Sequence, residues 1–337
     1  MTDQLHVFAL PMTTRFRGIT EREGLVLAGT GGWGEWSPFL DYDTPEIEPW
    51  LRCAEEAAAG DWPAPVRETV PVNATVPAVR PERAHEIVTR SGCATAKVKV
   101  ADPGQSLADD IARVEAVRDA LGAAGNVRID VNGLWTVDEA LAAITVLDRA
   151  AGGLEYVEQP CATVEELADV RRKVDVPIAA DESIRRAADP YRVRDLEAAD
   201  VAVLKVQPLG GVRACLRIAE DIGLPCVVSS ALETSVGMAA GIALAAALPE
   251  LPYACGLGTV SMFTEDIAAA PLLPSGGLLP VLPASPSPER LLAEPALRAA
   301  PERTEFWRRR LADVIAYREN APDRARPDEG STHGHRY

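Results

Sequence analysis

Residues 96–131 read AKVKVADPGQSLADDIARVEAVRDALGAAGNVRIDV. Two short β-branched runs, 96–100 and 127–131, enclose an amphipathic segment that begins at a capping-box sequence, SLAD (106–109). The apolar side chains of that segment recur at helical spacing, at Ile111, Val114, Val117 and Leu121. The stretch therefore predicts a strand, a helix and a second strand parallel to the first.

The same alternation repeats along the chain from about residue 71 onward, with a period of roughly 20 to 30 residues. The predicted strands are PVNAT (71–75), AKVKV (96–100), VRIDV (127–131), YVE (156–158), PIAAD (177–181), VAVLK (201–205), PCVVS (225–229) and ACGLG (254–258). Thr136 and Thr163 are expected to begin two of the intervening helices, as Ser106 does. Eight such units predict an α/β protein with a (β/α)₈-type barrel.

Both ends of the chain depart from this period. Gly-rich turns between short strands, followed by a helix near residues 46–59, predict a separate α+β domain at the amino terminus. Two further helices, near 287–298 and 302–317, are expected to return to that domain. The predicted division is an α+β capping domain at 1–70 joined by parts of 265–318, a barrel at 71–264, and a disordered tail at 319–337.

The composition narrows the class of protein. The 337 residues are 47% hydrophobic, which is enough for a large core, and the net charge of −16 argues against a broad basic face for nucleic acid or an anionic membrane. No apolar run reaches the roughly 20 residues of a membrane helix, and the first residues lack a secretory pattern. Six scattered cysteines without a C-x-x-C pair are typical of reduced thiols, so a cytoplasmic protein is expected. The expected partner is a small-molecule carboxylate, and the oligomeric state stays open.

Lysine is rare in this chain. Of 34 basic residues only four are lysine, at positions 97, 99, 173 and 205. Arginine keeps its proton in a protein, whereas a desolvated lysine can lose it. Lys97, Lys99 and Lys205 lie in apolar, β-branched segments, while Lys173 ends a helical pattern and is predicted to be a solvated surface residue. The first three are therefore candidates for acid–base chemistry.

Polar side chains end successive predicted strands, at the edge where a (β/α)₈ barrel carries its active site. In order they are Lys97 and Lys99, Asp130 and Asn132, Glu158, Asp181 and Glu182, Lys205, and Ser229 and Ser230. Carboxylates from three neighbouring strands repel one another unless a cation lies between them. Oxygen ligands suit Mg²⁺ or Mn²⁺ better than Zn²⁺, and the sequence puts no histidine near the cluster.

Each member alone has an ordinary structural explanation. An Asp after a strand is more often a helix cap or a turn residue than a ligand. Lys97 and Lys99, however, alternate with valine, so both side chains point to one face of the strand, which is the predicted barrel interior. Two ammonium groups in a core are costly unless anions compensate them, so the whole set indicates a functional site. Lys205 is expected to lie across the cavity from Lys99.

Taken together, the motifs resemble the enolase superfamily, muconate-cycloisomerase subgroup. The resemblance spans nearly the whole chain and is carried by K-x-K (97–99), D-x-N-G (130–133), E-Q-P (158–160), A-D-E-S (180–183) and L-K-x-Q-P (204–208). Within the subgroup, the chain looks most like the o-succinylbenzoate synthase family of menaquinone biosynthesis, through GWGEWSP (32–38), SSALETSVG (229–237) and CGLGT (255–259).

This resemblance implies a modified, enolase-like barrel and a metal-dependent syn dehydration. The implied substrate is SHCHC (2-succinyl-6-hydroxy-2,4-cyclohexadiene-1-carboxylate), which gives o-succinylbenzoate through an enediolate. Asp130, Glu158 and Asp181 are implied to bind Mg²⁺, with Mn²⁺ as an alternative. Lys99 is implied to be the base and Lys205 a cation over the opposite ring face. The implied substrate contacts are Lys97, Arg128, Asn132, Ser229, Ser230 and the backbone of Gly256, beneath a closing loop at 15–19.

Other activities remain open on the sequence alone. Racemisation of N-acylamino acids and epimerisation of dipeptides need acid–base lysines on both faces, which Lys99 and Lys205 also supply. Muconate cycloisomerisation is another reaction of the same subgroup and also remains open. In an aldolase-like barrel Lys205 would instead form a Schiff base. A catalytically silent metal-binding barrel would keep the carboxylates without turnover.

Overall fold

The computed structural model describes residues 5–187 and 189–320. The strands are β1 (Leu5–Phe16), β2 (Ile19–Ala28), β3 (Trp33–Trp36), β4 (Thr69–Pro71), β5 (Ala74–Val76), β6 (Thr95–Lys99), β7 (Asn126–Asp130), β8 (Leu154–Glu158), β9 (Ile178–Ala180), β10 (Val201–Leu204), β11 (Cys226–Val228) and β12 (Leu278–Pro280). The helices are α1 (Thr44–Ala59), α2 (Pro81–Ser91), α3 (Leu107–Leu121), α4 (Val137–Ala151), α5 (Val164–Arg171), α6 (Glu182–Arg185), α7 (Arg192–Asp195), α8 (Val206–Leu209), α9 (Val212–Ile222), α10 (Ser235–Ala247), α11 (Glu289–Ala293) and α12 (Pro301–Asn320). Two 3₁₀ turns, Thr259–Met262 and Pro295–Leu297, complete the described elements.

A parallel sheet forms the frame of the molecule. Its seven strands follow one another in chain order from β5 to β11, and the pairs between them are parallel. Seven of the predicted strands are found here, with bounds that differ from the predicted ones by at most three residues. Buried Val, Ile and Ala side chains cover the faces of these strands, as parallel strands between two apolar layers require.

The predicted eighth strand is reduced to single bridges. Cys255 pairs with Val72 on one side, and Gly256 pairs with Ser229 on the other. The amide of Asn73 donates to the carbonyl of Cys255 at 2.9 Å, and the amide of Gly256 donates to the carbonyl of Val228 at 2.8 Å. These contacts join the two edges of the sheet, so the predicted (β/α)₈-type barrel is confirmed, with a short closing segment.

The helices between the strands begin as predicted. Ser106, Thr136 and Thr163 each accept a hydrogen bond from the amide three residues on, and the acidic side chain at that position bonds back to the cap. By contrast, α10 is apolar on every side, and its residues 235–246 are all buried. None of the helices in the described part of the chain combines the length and apolar composition that a bilayer crossing demands.

A second apolar core lies at the carboxyl ends of the strands. The antiparallel sheet β1-β2-β3 packs with α1 and α12, and Trp36 meets Trp307 edge to face with ring centroids 5.6 Å apart. The same core takes in Leu232 and Val236, which follow β11. The amino-terminal and carboxyl-terminal segments therefore share one core, and that core rests on the barrel rim.

The carboxyl-terminal helices differ in detail from those predicted. The helix expected at 287–298 is a short helix, α11, followed by a 3₁₀ turn, because Pro295 has no N–H to continue the helical ladder. The last helix extends to Asn320, so the first two residues of the predicted tail are helical. The rest of that tail, 321–337, lies outside the described residues.

Candidate active site

The strand register brings the predicted polar residues into one rim. Lys99 pairs with Asp130, and Asp130 pairs with Glu158, on the adjacent strands β6, β7 and β8. Asp181 and Lys205 directly follow β9 and β10. Because the carboxyl ends of parallel strands share one edge, these side chains meet at the mouth of the barrel.

Lys97 bridges two of the carboxylates. Its Nζ lies 2.9 and 2.7 Å from the two oxygens of Glu158 and 3.6 Å from Oδ2 of Asp130. Burial lowers the pKa of Lys97, but the charges of Glu158 and Asp130 outweigh burial, and the pKa is raised. Lys97 is therefore a fixed cation at the base of the site.

Lys99 is the most accessible amine of the cluster, with 13% of its side chain exposed. Its Nζ lies 2.5 Å from Oδ2 of Asp130, donates to Oδ1 of Asn132, and stands 5.4 Å from the ring centroid of Phe16. Asn132 adopts a left-handed backbone with φ of 52°, and its backbone N–H donates to Oδ1 of Asp130 at 3.1 Å. The turn after β7 thus orients Lys99 and Asp130 together.

Lys205 faces Lys99 across the barrel. Three strands separate β6 from β10 in the sheet order, which is half of the closed ring. The Nζ of Lys205 lies 2.6 Å from Oδ2 of Asp181, whose Oδ1 lies 2.8 Å from Nε of Arg185. Burial, reinforced by Arg185 and opposed by Asp181, lowers the pKa of Lys205. The two predicted catalytic amines therefore lie on opposite sides of one cavity.

The donor set suits a hard divalent cation. Glu158 and Asp181 are fully buried and Asp130 is nearly so, and burial together with the charge of Asp130 raises the pKa of Glu158 to about 7. Within residues 5–187 and 189–320, no three His, Cys, Asp or Glu side chains are grouped closely enough to hold a metal ion, because each carboxylate is turned toward a lysine. The chemistry of the donor set nevertheless suits Mg²⁺ or Mn²⁺, because Asp130, Glu158 and Asp181 all offer carboxylate oxygens, and these are the ligands that such ions prefer.

A pocket opens above these groups and encloses about 390 Å³ of empty space, including its mouth. A Cβ at Gly256 would lie 2.6 Å from Oγ of Ser229, so a larger residue in this wall would force the Ser229 side chain to move. The lining residues are Phe16, Arg17, Thr75, Lys97, Lys99, Asp130, Lys205, Ser229, Ser230, Ala231, Leu232, Gly256 and Thr259.

Arg128 lies one layer below the site. It pairs in register with Lys97 and Tyr156, and its Nη1 donates to the carbonyl of Ala254 at 2.6 Å and to the hydroxyl of Tyr156 at 3.2 Å. The structure therefore keeps Arg128 out of the pocket lining. Asn132 also lies outside the lining, where its side-chain Nδ2 donates to Oε1 of Glu182 at 3.2 Å.

Sequence reasoning missed several groups around the pocket. Thr259 belongs to the quoted CGLGT motif, and its hydroxyl lies 2.7 Å from that of Ser230. Arg185 follows Asp181 by four residues, which is the spacing of a helical ion pair and a usable signal. Thr75 and Leu232 carry no comparable signal. From the expected closing loop, Phe16 and Arg17 reach the pocket.

Comparison with known proteins places this chain in a family. Residues 80–286 match the family described as Enolase C-terminal domain-like, and residues 7–58 match the one described as Enolase N-terminal domain-like. The o-succinylbenzoate synthase of Thermobifida fusca is 65% identical over 309 residues, covering 92% of this chain and 95% of that protein. The o-succinylbenzoate synthase of Mycolicibacterium smegmatis is 57% identical over 307 residues, covering 90% and 93%.

Among solved structures, the L-Ala-D/L-Glu epimerase of Bacillus subtilis, in a substrate-liganded complex, aligns with a TM-score of 0.72 at 25% identity. The alignment covers 85% of this chain and 96% of that one. The matched family models cover most of the chain, the two relatives match over more than nine-tenths of their length, and both findings agree with the barrel fold. The chain therefore belongs to the enolase superfamily and, within it, to the o-succinylbenzoate synthase family.

Proposed function

We propose that this protein catalyses the metal-dependent syn dehydration of SHCHC to o-succinylbenzoate. One observation carries the proposal from the site itself: two amines, the partly buried Lys99 and the buried Lys205, face each other across a ring whose intervening strands supply three carboxylates. Such a site can take a proton beside a carboxylate and stabilise the anion that results. The high identity to two o-succinylbenzoate synthases selects the dehydration among reactions of this type.

Asp130, Glu158 and Asp181 would hold the divalent ion, Mg²⁺ with Mn²⁺ as a substitute. When bound, the ion supplies positive charge against the second negative charge that develops on the substrate carboxylate. The raised pKa of Glu158 supports this assignment, because a nearby cation relieves the crowding of buried carboxylates.

The charge balance of the site favours a dicarboxylate substrate. The groups in mutual contact are four acids and four bases, namely Asp130, Glu158, Asp181, Glu182, Lys97, Lys99, Lys205 and Arg185. A divalent cation and a dianion add charges that cancel, so the buried cluster stays balanced when both bind. SHCHC, with a ring carboxylate and a succinyl carboxylate, meets this condition.

Lys99 is the proposed base. Its Nζ would take the proton from the ring carbon that bears the carboxylate, and the electron pair of that C–H bond passes into the enediolate. The neighbouring C–O bond then breaks as the electron pair returns to form the new ring double bond. The departing hydroxide takes the same proton from the Lys99 ammonium, so water leaves from the face on which the proton was removed.

Lys205 would act as a fixed cation over the opposite face of the ring. Its contact with Asp181 at 2.6 Å holds the ammonium in place. Lys97 would position Glu158, and Asn132 would position Lys99, each through the hydrogen bonds described above. For Arg128, the contacts with Tyr156 and Ala254 favour an indirect contribution from the layer beneath.

The succinyl tail is assigned to the wall made by Ser229, Ser230 and Gly256. We further propose that residues 1–70, joined by parts of 265–318, act as a capping domain over a barrel at 71–264. The shared second core supports that division. We also propose a role in menaquinone biosynthesis, which the proposed reaction supports, and a cytoplasmic location, which the six buried free thiols of the described residues support.

The decisive test is o-succinylbenzoate formation from SHCHC, followed by absorbance with purified protein and Mg²⁺. The matched assay is deuterium exchange from solvent into an N-succinylamino acid. Dehydration with slow exchange supports the synthase, whereas exchange without dehydration supports a racemase. Activity that persists in EDTA, with borohydride trapping of a carbonyl substrate on Lys205, would support Schiff-base chemistry. Metal binding without any turnover would indicate a silent barrel.

A further inference from the structure

Arg185 connects three parts of the molecule from the end of the single-turn helix α6. Its Nε lies 2.8 Å from Oδ1 of Asp181, its Nη2 pairs with Oε1 of Glu182, and its Nη1 donates to the hydroxyl of Tyr42. Only 2% of its side chain is exposed. Each nitrogen of this guanidinium group therefore has a separate partner, and two of the three partners, Asp181 and Tyr42, are buried.

Asp181 is held at both oxygens and at its backbone. Arg185 takes Oδ1 and Lys205 takes Oδ2, while the amide of Asp181 donates to Oε1 of Gln159 at 3.0 Å. A carboxylate with both oxygens held has little freedom to rotate about its Cβ–Cγ bond. Arg185 therefore sets the orientation of Asp181 and, through Asp181, that of Lys205.

Tyr42 belongs to the segment between β3 and α1, far from the barrel in sequence. It is buried, and its ring packs 5.7 Å from that of Trp50 and 6.0 Å from that of Phe39. These contacts fix the hydroxyl against Arg185. The amino-terminal segment thus reaches a proposed metal ligand through one intermediate side chain.

We infer that Arg185 is a positioning residue that holds Asp181 for the divalent ion, and that Tyr42 keeps Arg185 in place. The inference is supported by a continuous chain of contacts. Tyr42 contacts Arg185, Arg185 contacts Asp181, and Asp181 contacts Lys205. The inference rests on the proposed metal-dependent function. It adds that packing of the amino-terminal segment against the barrel is coupled to metal affinity.

The test is Mn²⁺ binding to the substrate-free protein, measured from the electron paramagnetic resonance signal of free Mn²⁺. Arg185→Met is expected to weaken Mn²⁺ binding by about ten- to a hundredfold, as loss of a residue that orients a ligand does. Tyr42→Phe, which removes one hydroxyl, is expected to weaken it by about fivefold. Arg185→Lys keeps the charge but cannot contact Asp181 and Tyr42 together, so its affinity should fall between those of wild type and Arg185→Met.

The double variant tests whether Tyr42 acts through Arg185. Tyr42→Phe combined with Arg185→Met should bind Mn²⁺ no more weakly than Arg185→Met alone, because the shared contact is already absent. Arg171→Gln is the matched control. Arg171 contacts Asp200 at 2.8 Å, outside the chain of contacts that runs from Tyr42 to Lys205, so its loss should leave Mn²⁺ affinity unchanged.

Unchanged or tighter Mn²⁺ binding by Arg185→Met would overturn the inference, since it would make Arg185 only a competing charge. Fully multiplicative losses in the double variant would overturn the role of Tyr42, and a wild-type protein that binds no Mn²⁺ would overturn both. Thermal unfolding of each variant separates loss of folding from loss of metal binding. A wild-type protein that shows these effects but does not dehydrate SHCHC counts against the proposed function and leaves the positioning role intact.

Discussion

Replacing Lys99 by alanine removes the amine that is proposed to take the substrate proton, and the other two site amines cannot replace it. Lys97 donates to both oxygens of Glu158, and the charges of Glu158 and Asp130 raise its pKa despite burial, so it stays protonated. Lys205 stands on the opposite side of the ring, where it cannot reach the same face of the substrate. The loss should therefore be nearly complete.

The expected fall in kcat is at least about 10³-fold, within the range of a general base and equal to about 4 kcal/mol in the barrier. Folding should be affected much less. In the variant, Asp130 still accepts from the backbone N–H of Asn132 at 3.1 Å and still lies 3.6 Å from Nζ of Lys97. The free energy of unfolding should therefore fall by about 1.5 to 3 kcal/mol, which is the contribution of one hydrogen bond to a charged group.

The assay is o-succinylbenzoate formation by absorbance at saturating SHCHC and Mg²⁺, with circular dichroism to follow unfolding. Lys173→Ala is the control, because Lys173 is exposed on the surface and should keep wild-type kcat. Lys99→Ala that retains kcat within about tenfold of wild type while folded would refute the assignment of the base.

Further variants and conditions test other parts of the site. Lys205→Met should lower kcat by about 10² to 10³, the loss for one electrostatic stabiliser, in the same absorbance assay. EDTA should abolish turnover and added Mg²⁺ or Mn²⁺ should restore it, as titration of the apo-protein would show. Gly256→Ala, which puts a Cβ 2.6 Å from Oγ of Ser229, should raise KM for SHCHC more than it lowers kcat. Burial raises the pKa of Glu35 from 4.5 to about 7. Between these two pH values the folded protein keeps a proton on Glu35 that the unfolded chain has lost. The free energy of unfolding should therefore fall by up to about 3 kcal/mol as the pH rises from about 4.5 to about 7. Glu35→Gln should remove this dependence, which urea unfolding at about pH 5 and about pH 8 would measure.

The parts of the fold that depend on local pattern could be predicted from the sequence. Alternation put Lys97 and Lys99 on one face of β6, and capping boxes located the starts of α3, α4 and α5. The closing segment was predicted as a full strand, but only Cys255 and Gly256 pair, because partner strands at a barrel seam decide how far pairing extends.

Depth and partner choice could not be predicted in the same way. Arg128 and Asp130 alternate just as the two lysines do, and Arg128 is in register with Lys97, yet only Lys97 lines the pocket, because the side chain of Arg128 bonds instead to Tyr156 and to the carbonyl of Ala254. Tyr42 and Arg185 are 143 residues apart, and no local pattern connects them. The proposed roles of the site residues, including the tail contacts, stay predictions for the experiments above.

The barrel closes through isolated bridges rather than through a full strand, and this has a consequence for how the cavity can change shape. The bridges lie at Cys255 and Gly256, beside Ser229, whereas β6, β7 and β8 are joined by longer ladders. Amide protons at the closing segment should thus exchange with solvent before those of the strands that bear Lys99, Asp130 and Glu158. Local opening of this segment would widen the wall to which the succinyl tail is assigned and would leave intact the ladders that carry Lys99, Asp130 and Glu158.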